Sequence, residues 1–436
     1  MSVTTRQAGF TRELFERFLA IRDEPAWLGE QRARAWDRFE ALPLPSQRDE
    51  EWMRTDIRLF HLDQFAFPAE PVEGAAMPDA LLTQGVRLGG QVTARDSHPH
   101  AWRLNEKWAA RGVLFGSLDA LVREHGERIR PHLFRAVDPH YDKFAALHAA
   151  TWSGGALLYV PRGVVIDEPL HMLSVLSDGG TDLGHALVIL EEGAEATLLA
   201  ETASVNGAAG GLHCGAVELL VGPGAKLRYV NLQNWATGVW HFAHHKALVD
   251  KQGALQWTIA ALGSRLAKVN QHVAMVGPGA HAQVNGVMFT EGKQHLSYHT
   301  RQHHQAASCK SDLLYKTALQ DASRTVWRGM IKVDPGAQKT DGYQRNDNLM
   351  LSDHARCDSI PGLEILADDV RCTHGSTTGR VDDEQIFYAR CRGLTRKEAV
   401  RMVVAGFFQQ VFDRITIDSV REALGEAIGR RIREYD

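Results

Sequence analysis

Between about residues 150 and 385, apolar and polar side chains alternate in short runs, as in Lys226-Leu227-Arg228-Tyr229-Val230. A period of two predicts strands with one buried face, and glycine supplies the turns between them. Gly-Ala steps fall at 193–194, 224–225, 253–254, 279–280 and 336–337, so the intervals are 31, 29, 26 and 57 residues, the last about two units. A half-period of 15 separates Ala307, Ala322 and Ala337, and again Ala355 and Val370. A repeat of about 30 residues built from short strands predicts a β-solenoid, each coil hiding its apolar face against the next. A β-sandwich also has many short strands, but it needs no fixed turn period.

The flanks read as helix. Leu14, Phe15, Phe18 and Leu19 form one apolar stripe, and Leu28, Ala35, Trp36 and Phe39 form a second after Pro25. The run Leu42-Pro43-Leu44-Pro45 ends that helix, and helical character is expected to about residue 65. No single period governs the stretch from 66 to 150. After about 385, Thr395 and Glu398 fit a capping box before Val400, Val403, Val404, Phe407 and Val411. Ser419 and Glu422 repeat the device before Val420, Leu424, Ile428 and Ile432. These helices are expected to shield the last coil from edge pairing or to present a docking surface. The predicted domains are 1–150, helical and mixed; 151–385, the solenoid; and 386–436, helical.

Composition removes several functions. A net charge of −4 over 436 residues offers no footing for nucleic acid, and Arg430, Arg431 and Arg433 read as a solvated helix face. No apolar run suits a signal peptide or a membrane span, so a cytoplasmic location is expected. Five cysteines, at 214, 309, 357, 372 and 391, lack CxxC spacing and read as free thiols or soft-metal ligands. No phosphate loop, dinucleotide fingerprint, nucleophile elbow or HExxH motif occurs, so ATP energy would have to come from a partner and no enzyme activity is expected.

The densest chemistry is Ala367-Asp368-Asp369-Val370-Arg371-Cys372-Thr373-His374-Gly375-Ser376. On a strand, Cys372 and His374 share a face, and thiolate with imidazole suits iron, zinc or an iron–sulfur cluster. Read without context, such a pair is more often a small core thiol beside a hydrogen-bonded histidine. Cys357 lies 15 residues before Cys372, which places the two on related faces of consecutive strands or leaves Cys357 a structural thiol. Cys391 reads as core. His241, His244 and His245, and His295, His299, His303 and His304, divide between the two faces of their strands and read as solvent-facing or groove-lining, with transient metal contact as the alternative.

Longer motifs carry a resemblance. Leu363-Glu364-Ile365, then Ala367 through Gly379, then Gln385 through Leu394 resemble the C-terminal signature of the SufB/SufD family of iron–sulfur cluster assembly proteins. Ala337 through Asn346, Leu314-Tyr315-Lys316 and Tyr159 through Val164 are similar to that family too, so the resemblance covers nearly the whole chain. Glu24 through Leu28, Leu42 through Pro45, Asp49 through Trp52 with Thr55-Asp56, and Thr373-His374-Gly375 look like the SufD branch. Cys357-Asp358-Ser359 departs from it and resembles the SufB cysteine segment. The resemblance implies a right-handed parallel β-helix flanked by helical domains. It implies pairing with a SufB-like subunit through the β-helix, with a homodimer when isolated, and a SufC ATPase bound through the C-terminal helices. It implies a transient cluster built at the subunit interface near His374 and Cys372, and links to iron supply and to reduced flavin, for which no motif is readable.

Overall fold

The computed structural model of the chain describes residues 9–68 and 77–432. It is mainly β, with 42% of residues in strands and a parallel β-solenoid of about 8 turns between terminal helices. Helices α1 (Arg12–Ala20) and α2 (Ala26–Ala41) come first, followed by the strands β1 (Gly90–Arg95) and β2 (His98–Leu104). Then come α3 (Glu106–Ala109), β3 (Leu114–Ser117), α4 (Leu118–Ile129) and α5 (Lys143–Thr151). The coils begin with β4 (Gly155–Val160), β5 (Leu170–Leu176), β6 (Gly180–Asp182), β7 (His185–Leu190), β8 (Glu195–Ser204) and β9 (Gly210–Val221). They continue through β10 (Lys226–Asn234), β11 (Gly238–Val249), β12 (Ala254–Ala261), β13 (Leu266–Met275), β14 (His281–Thr290) and β15 (His295–His304). They end with β16 (Lys310–Leu319), β17 (Arg324–Val333), β18 (Thr340–Met350), β19 (Arg356–Ile365) and β20 (Val370–Arg380). Helices α6 (Asp383–Cys391), α7 (Arg396–Phe412) and α8 (Asp418–Arg431) follow.

Successive strands go to alternate sheets. From β8 onward the even-numbered strands stack in one sheet and the odd-numbered strands in the other. Lys226 lies beside Ala254, Ala254 beside His281, and His281 beside Lys310, all in parallel register. One coil is therefore two strands, and the half-period of 15 is one strand with its turn. The Gly-Ala rhythm has a specific cause at one corner. Gly163, Gly193, Gly224 and Gly279 have positive φ there, as do Gln252, Ser308 and Lys339 at the equivalent positions. Each N–H donates to the next turn, as Gly193 does to Pro223 and Gly224 to Lys251, both at 2.9 Å. The alanines that follow three of these glycines, Ala194, Ala225 and Ala280, are fully buried, where a larger side chain would meet its neighbour in the stack, whereas the Gly336-Ala337 step lies three residues before the corner at Lys339.

The two ends of the solenoid differ. Antiparallel pairing of β2 with β1 and of β3 with β4 closes the N-terminal end. At the other end β19 and β20 are the last strands of their sheets, with one edge unpaired. The C-terminal helices do not shield them. Instead Val404, Phe408 and Val411 of α7 pack with Val230, Leu232, Val287, Phe289 and Leu314 on the outside of the even sheet. That face is apolar, so it claims the helices before the edge does. The capping box at Thr395 and Glu398 forms as expected. The second does not: α8 starts after Ile417 without a side-chain cap, which leaves Ser419 inside the helix. Arg431 is not solvated but donates to Asn234 Oδ1 at 2.6 Å, and Arg433 lies outside the described residues. Helix at the N-terminus ends at Ala41; beyond it come turns and a single short 3-10 turn at Leu62–Gln64. No helix among the described residues is long and apolar enough to cross a membrane.

The N-terminal region covers the outside of the odd sheet. Phe144 stacks on Phe242 at 3.8 Å, and Phe60 packs against both Phe242 and Trp240. Under this cover a polar chain crosses the rungs. Lys268 Nζ donates to Asn270 Oδ1 at 3.1 Å, Asn270 bonds His244 at 3.3 Å, and His244 bonds Asp142 at 3.1 Å. Burial pushes Lys268 down to about 7 from its ordinary 10.5. Between those two values the unfolded chain holds more protons, so stability rises with pH there, by up to about 1.4 kcal/mol per pH unit from this group. Lys268→Met should therefore be more stable than the parent at pH 7 and should lose that slope. Urea unfolding at pH 7 and pH 9 checks this, and equal slopes in the two proteins would refute it.

Candidate functional site

The open end gathers the chemistry. The final coil runs out along β19, turns at 366–369 and returns along β20. Cross-lumen contacts fix which side chains face inward. Cys357 Sγ lies 3.4 Å from Thr378 Oγ1, and Ser376 Oγ donates to Ser359 Oγ at 2.8 Å. Ser359 Oγ in turn donates to Asn346 Oδ1 at 2.8 Å. Alternation then turns Cys372 and His374 inward with Ser376 and Thr378.

Cys372 is half-buried and packs with Ile331, Val333 and Ala337. Burial pushes its thiol above the ordinary value, and the Asp341 carboxylate adds to the shift. His374 sits above Gln344 in the register, is exposed, and makes no side-chain hydrogen bond among the described residues. Its face is therefore available to something outside the chain. Leu363, Ile365 and Leu366 rim the same opening as exposed apolar side chains.

Cys357 does not join them. The coil doubles back, so a spacing of 15 puts two residues at opposite ends of facing strands. Cys357 lies across from Thr378, six residues along β20 from Cys372, which is roughly 20 Å at strand rise. Its neighbour Asp358 is clamped by Arg324 at 2.7 Å, Arg356 at 3.1 Å and Arg54 at 3.5 Å, which holds that end of β19 in place. Two donors on one strand, with the third candidate far away, leave the site incomplete within one chain. Among the described residues no group of three or more His, Cys, Asp or Glu side chains is poised around a common metal position. A thiol and an imidazole on an open edge still suit iron or a cluster as cargo, provided other donors arrive from a second chain or from sulfide.

The remaining candidates fall elsewhere. Cys214 and Cys309 are buried, while Cys391 is exposed on α6, on the helix face away from the solenoid. Five of the seven histidines are buried, His295 and His303 are half-buried, and His295 and His299 line surface grooves. His241, His245 and His304 point into the lumen, and His244 and His299 are buried beneath the N-terminal cover. Alternation separates the two sets as expected, but the extent of burial depends on a second layer that no local spacing reveals. His304 comes near Gly342, the residue beneath Cys372, only when coils stack, so no spacing in the sequence reveals it. Burial holds it down to about 4, so it is a neutral imidazole at pH 7.

Two family models match the chain: "SUF system FeS cluster assembly, SufBD core domain" over residues 174–407, and "SufBD protein N-terminal region" over residues 12–172. The chain is 25% identical over 428 residues to the iron-sulfur cluster assembly protein SufB of Bacillus subtilis, covering 94% of this chain and 90% of that protein. An iron-sulfur cluster assembly SufBD family protein of Staphylococcus saprophyticus is 25% identical over 425 residues, again with 94% and 90% covered. A SufBD family protein of Staphylococcus aureus is 24% identical over 425 residues, with the same shares covered.

Proposed function

Because this chain belongs to the SufBD family of iron–sulfur cluster assembly proteins, we propose that it is a SufD-type scaffold subunit whose open solenoid end joins a SufB-like subunit. The observation that carries this reading is the incomplete site at that end: Cys372 and His374 face an opening flanked by two unpaired strand edges and an apolar rim. Unpaired edges recruit a strand from another chain, and a partner's edge would bring the missing donors with it. An incomplete half-site also suits a scaffold, which has to release the cluster it builds. The SufD assignment rests on Thr373-His374-Gly375 and on the N-terminal motifs. A SufB-like role is the second reading, favoured by Cys357 and its fixed neighbour Asp358.

The protein itself supplies no energy in this scheme. A SufC ATPase partner drives the assembly and docks on the C-terminal helices, where Phe387, Tyr388 and Met402 stand exposed beside α6 and α7. Deleting those helices would uncover the apolar face of the even sheet, so point substitution is the better probe. The test is co-expression with a SufB-like subunit and a SufC-like ATPase, followed by anaerobic reconstitution. A ternary complex with an iron–sulfur absorption spectrum is expected, and Phe387→Asp should lose the ATPase while keeping the SufB-like subunit. Pure protein should bind no ATP by calorimetry. A chain that forms no complex with either partner, or that hydrolyses ATP alone, would defeat the proposal.

A further inference from the structure

A cleft of about 640 Å³ opens on the outside of the odd sheet, where the N-terminal region leaves it uncovered. Its floor is built from Trp240 and Leu266, both buried, and His295 follows them on the next rung in parallel register. The rest of the lining comes from the loop 56–59 and from the turns at 237–238, 265 and 291–294, and Leu59 leaves most of its side chain exposed there. Thr55 Oγ1 donates to Ser297 Oγ at 2.9 Å and Phe60 packs on Trp240 at 5.3 Å, so the loop is fixed at both ends. Charge in the cleft is unbalanced. Of its two carboxylates, Asp56 is paired with Arg58 at 2.7 Å and Glu291 faces Arg431 at 3.9 Å. Its two cations, exposed on their turns, have no such partner. Arg265 lies over the Trp240 ring at 4.9 Å, and neither Arg265 nor Lys293 makes a side-chain hydrogen bond or ion pair among the described residues. His295 Nε2 is buried and has no hydrogen-bond partner either, which is uncommon for a buried polar atom. Burial holds that imidazole down to about 4, so at pH 7 it is neutral and adds a polar contact without a third charge.

We propose that this cleft binds a small organic anion, an apolar body with one acidic headgroup, the body resting on Trp240, Leu266 and Leu59 and the headgroup held by Arg265 and Lys293. Its volume falls within the roughly 300–1,000 Å³ of small-molecule sites, which combine an apolar lining with a few polar groups that fix orientation. The apolar floor supplies the driving force by leaving water. The guanidinium fork and the ammonium supply charge-assisted bonds to acidic oxygens. His295 Nε2 gains the partner it lacks. Two cations balance one headgroup and not a triphosphate, so the expected absence of ATP binding is unchanged.

Anilinonaphthalene sulfonate tests this on the full chain, because its fluorescence rises when it leaves water. Uncharged phenylnaphthylamine offers the same rings without the headgroup. The parent should bind the sulfonate saturably and roughly tenfold more tightly than the uncharged probe. Arg265→Glu and Lys293→Glu should each weaken the sulfonate by roughly 10-fold or more and leave the uncharged probe as it was. Thermal unfolding establishes that each variant folds, and Lys293→Glu serves if Arg265→Glu disturbs the packing on Trp240. The apolar side chains exposed at the open end and beside α7 also attract the sulfonate, but neither substitution touches them. Sulfonate binding that survives both charge reversals therefore belongs to those surfaces and overturns the proposal. So does a parent that binds the uncharged probe as tightly as the sulfonate, or that binds neither.

Discussion

His374→Ala should give a chain that folds and pairs normally but accumulates no iron–sulfur cluster in the assembled complex. The imidazole is exposed, makes no side-chain hydrogen bond among the described residues, and projects from an edge strand at the open end. Its loss removes almost nothing from the core, and exposed substitutions usually stay within ~0.5 kcal/mol. It removes one of the two donors, Cys372 and His374, that face the opening among the described residues. Cys372→Ala should also lower cluster content, but less, with a small stability loss because Cys372 packs on Ile331 and Val333. Cys357→Ala should have a small effect through this chain's own site, since that thiol lies roughly 20 Å along the coil. Iron and sulfide content with the absorption spectrum of the purified complex are the measurements. Parent-like cluster in His374→Ala, or loss traced to unfolding, would count against the site.

The largest effect on stability is expected at Glu218. This carboxylate is fully buried on the outer face of β9, where it accepts backbone N–H bonds from Phe134 at 2.6 Å, Ala136 at 2.6 Å and Val137 at 2.8 Å. His185 Nε2 lies 3.3 Å away on the neighbouring strand, and His148 bonds His185 at 3.0 Å. One side chain thus fastens the loop after α4 to the odd sheet. Glu218→Ala leaves three buried donors without an acceptor and opens a cavity, so the loss should be about 3–5 kcal/mol. Glu218→Gln keeps the volume and one acceptor oxygen and should fall between the two. Denaturant midpoints measure both. A loss under about 1 kcal/mol in the alanine variant would mean that the loop is held by its apolar contacts alone.

The solenoid was legible because its physics is local and repeated. Period-two alternation sets which side chains face the lumen, and the Gly-Ala corner recurs because every coil has to make the same turn with a small residue behind it. Motifs around Cys372 and His374 located the candidate donors for the same reason: their i, i+2 spacing within one strand leaves no freedom about their shared face. The helical flanks were legible in part. Phe15, Phe18, Trp36 and Phe39 are buried as their stripe requires, whereas the second capping box fails, since the N-cap of α8 is Ile417, two residues before Ser419.

What tertiary structure alone decided is everything that depends on reversal and stacking. Cys357 and Cys372 are 15 residues apart on consecutive strands, yet the coil doubles back between them and carries them to opposite ends of the lumen. The amphipathic C-terminal helices could have covered the last coil, but the even sheet offered a larger apolar face, so they lie on its flank and leave two strand edges open. Cys391 looked like core from its aromatic neighbours and is exposed, because Phe387 and Tyr388 themselves face solvent. His304 and Cys372, 68 positions apart in sequence, both come within 3.5 Å of where a side chain on residue 342 would begin, so glycine stands there. Alternation within a strand determines which face a side chain takes, whereas its neighbours on that face come from coils some 30 residues away in sequence, and only the stacked structure says which donors meet.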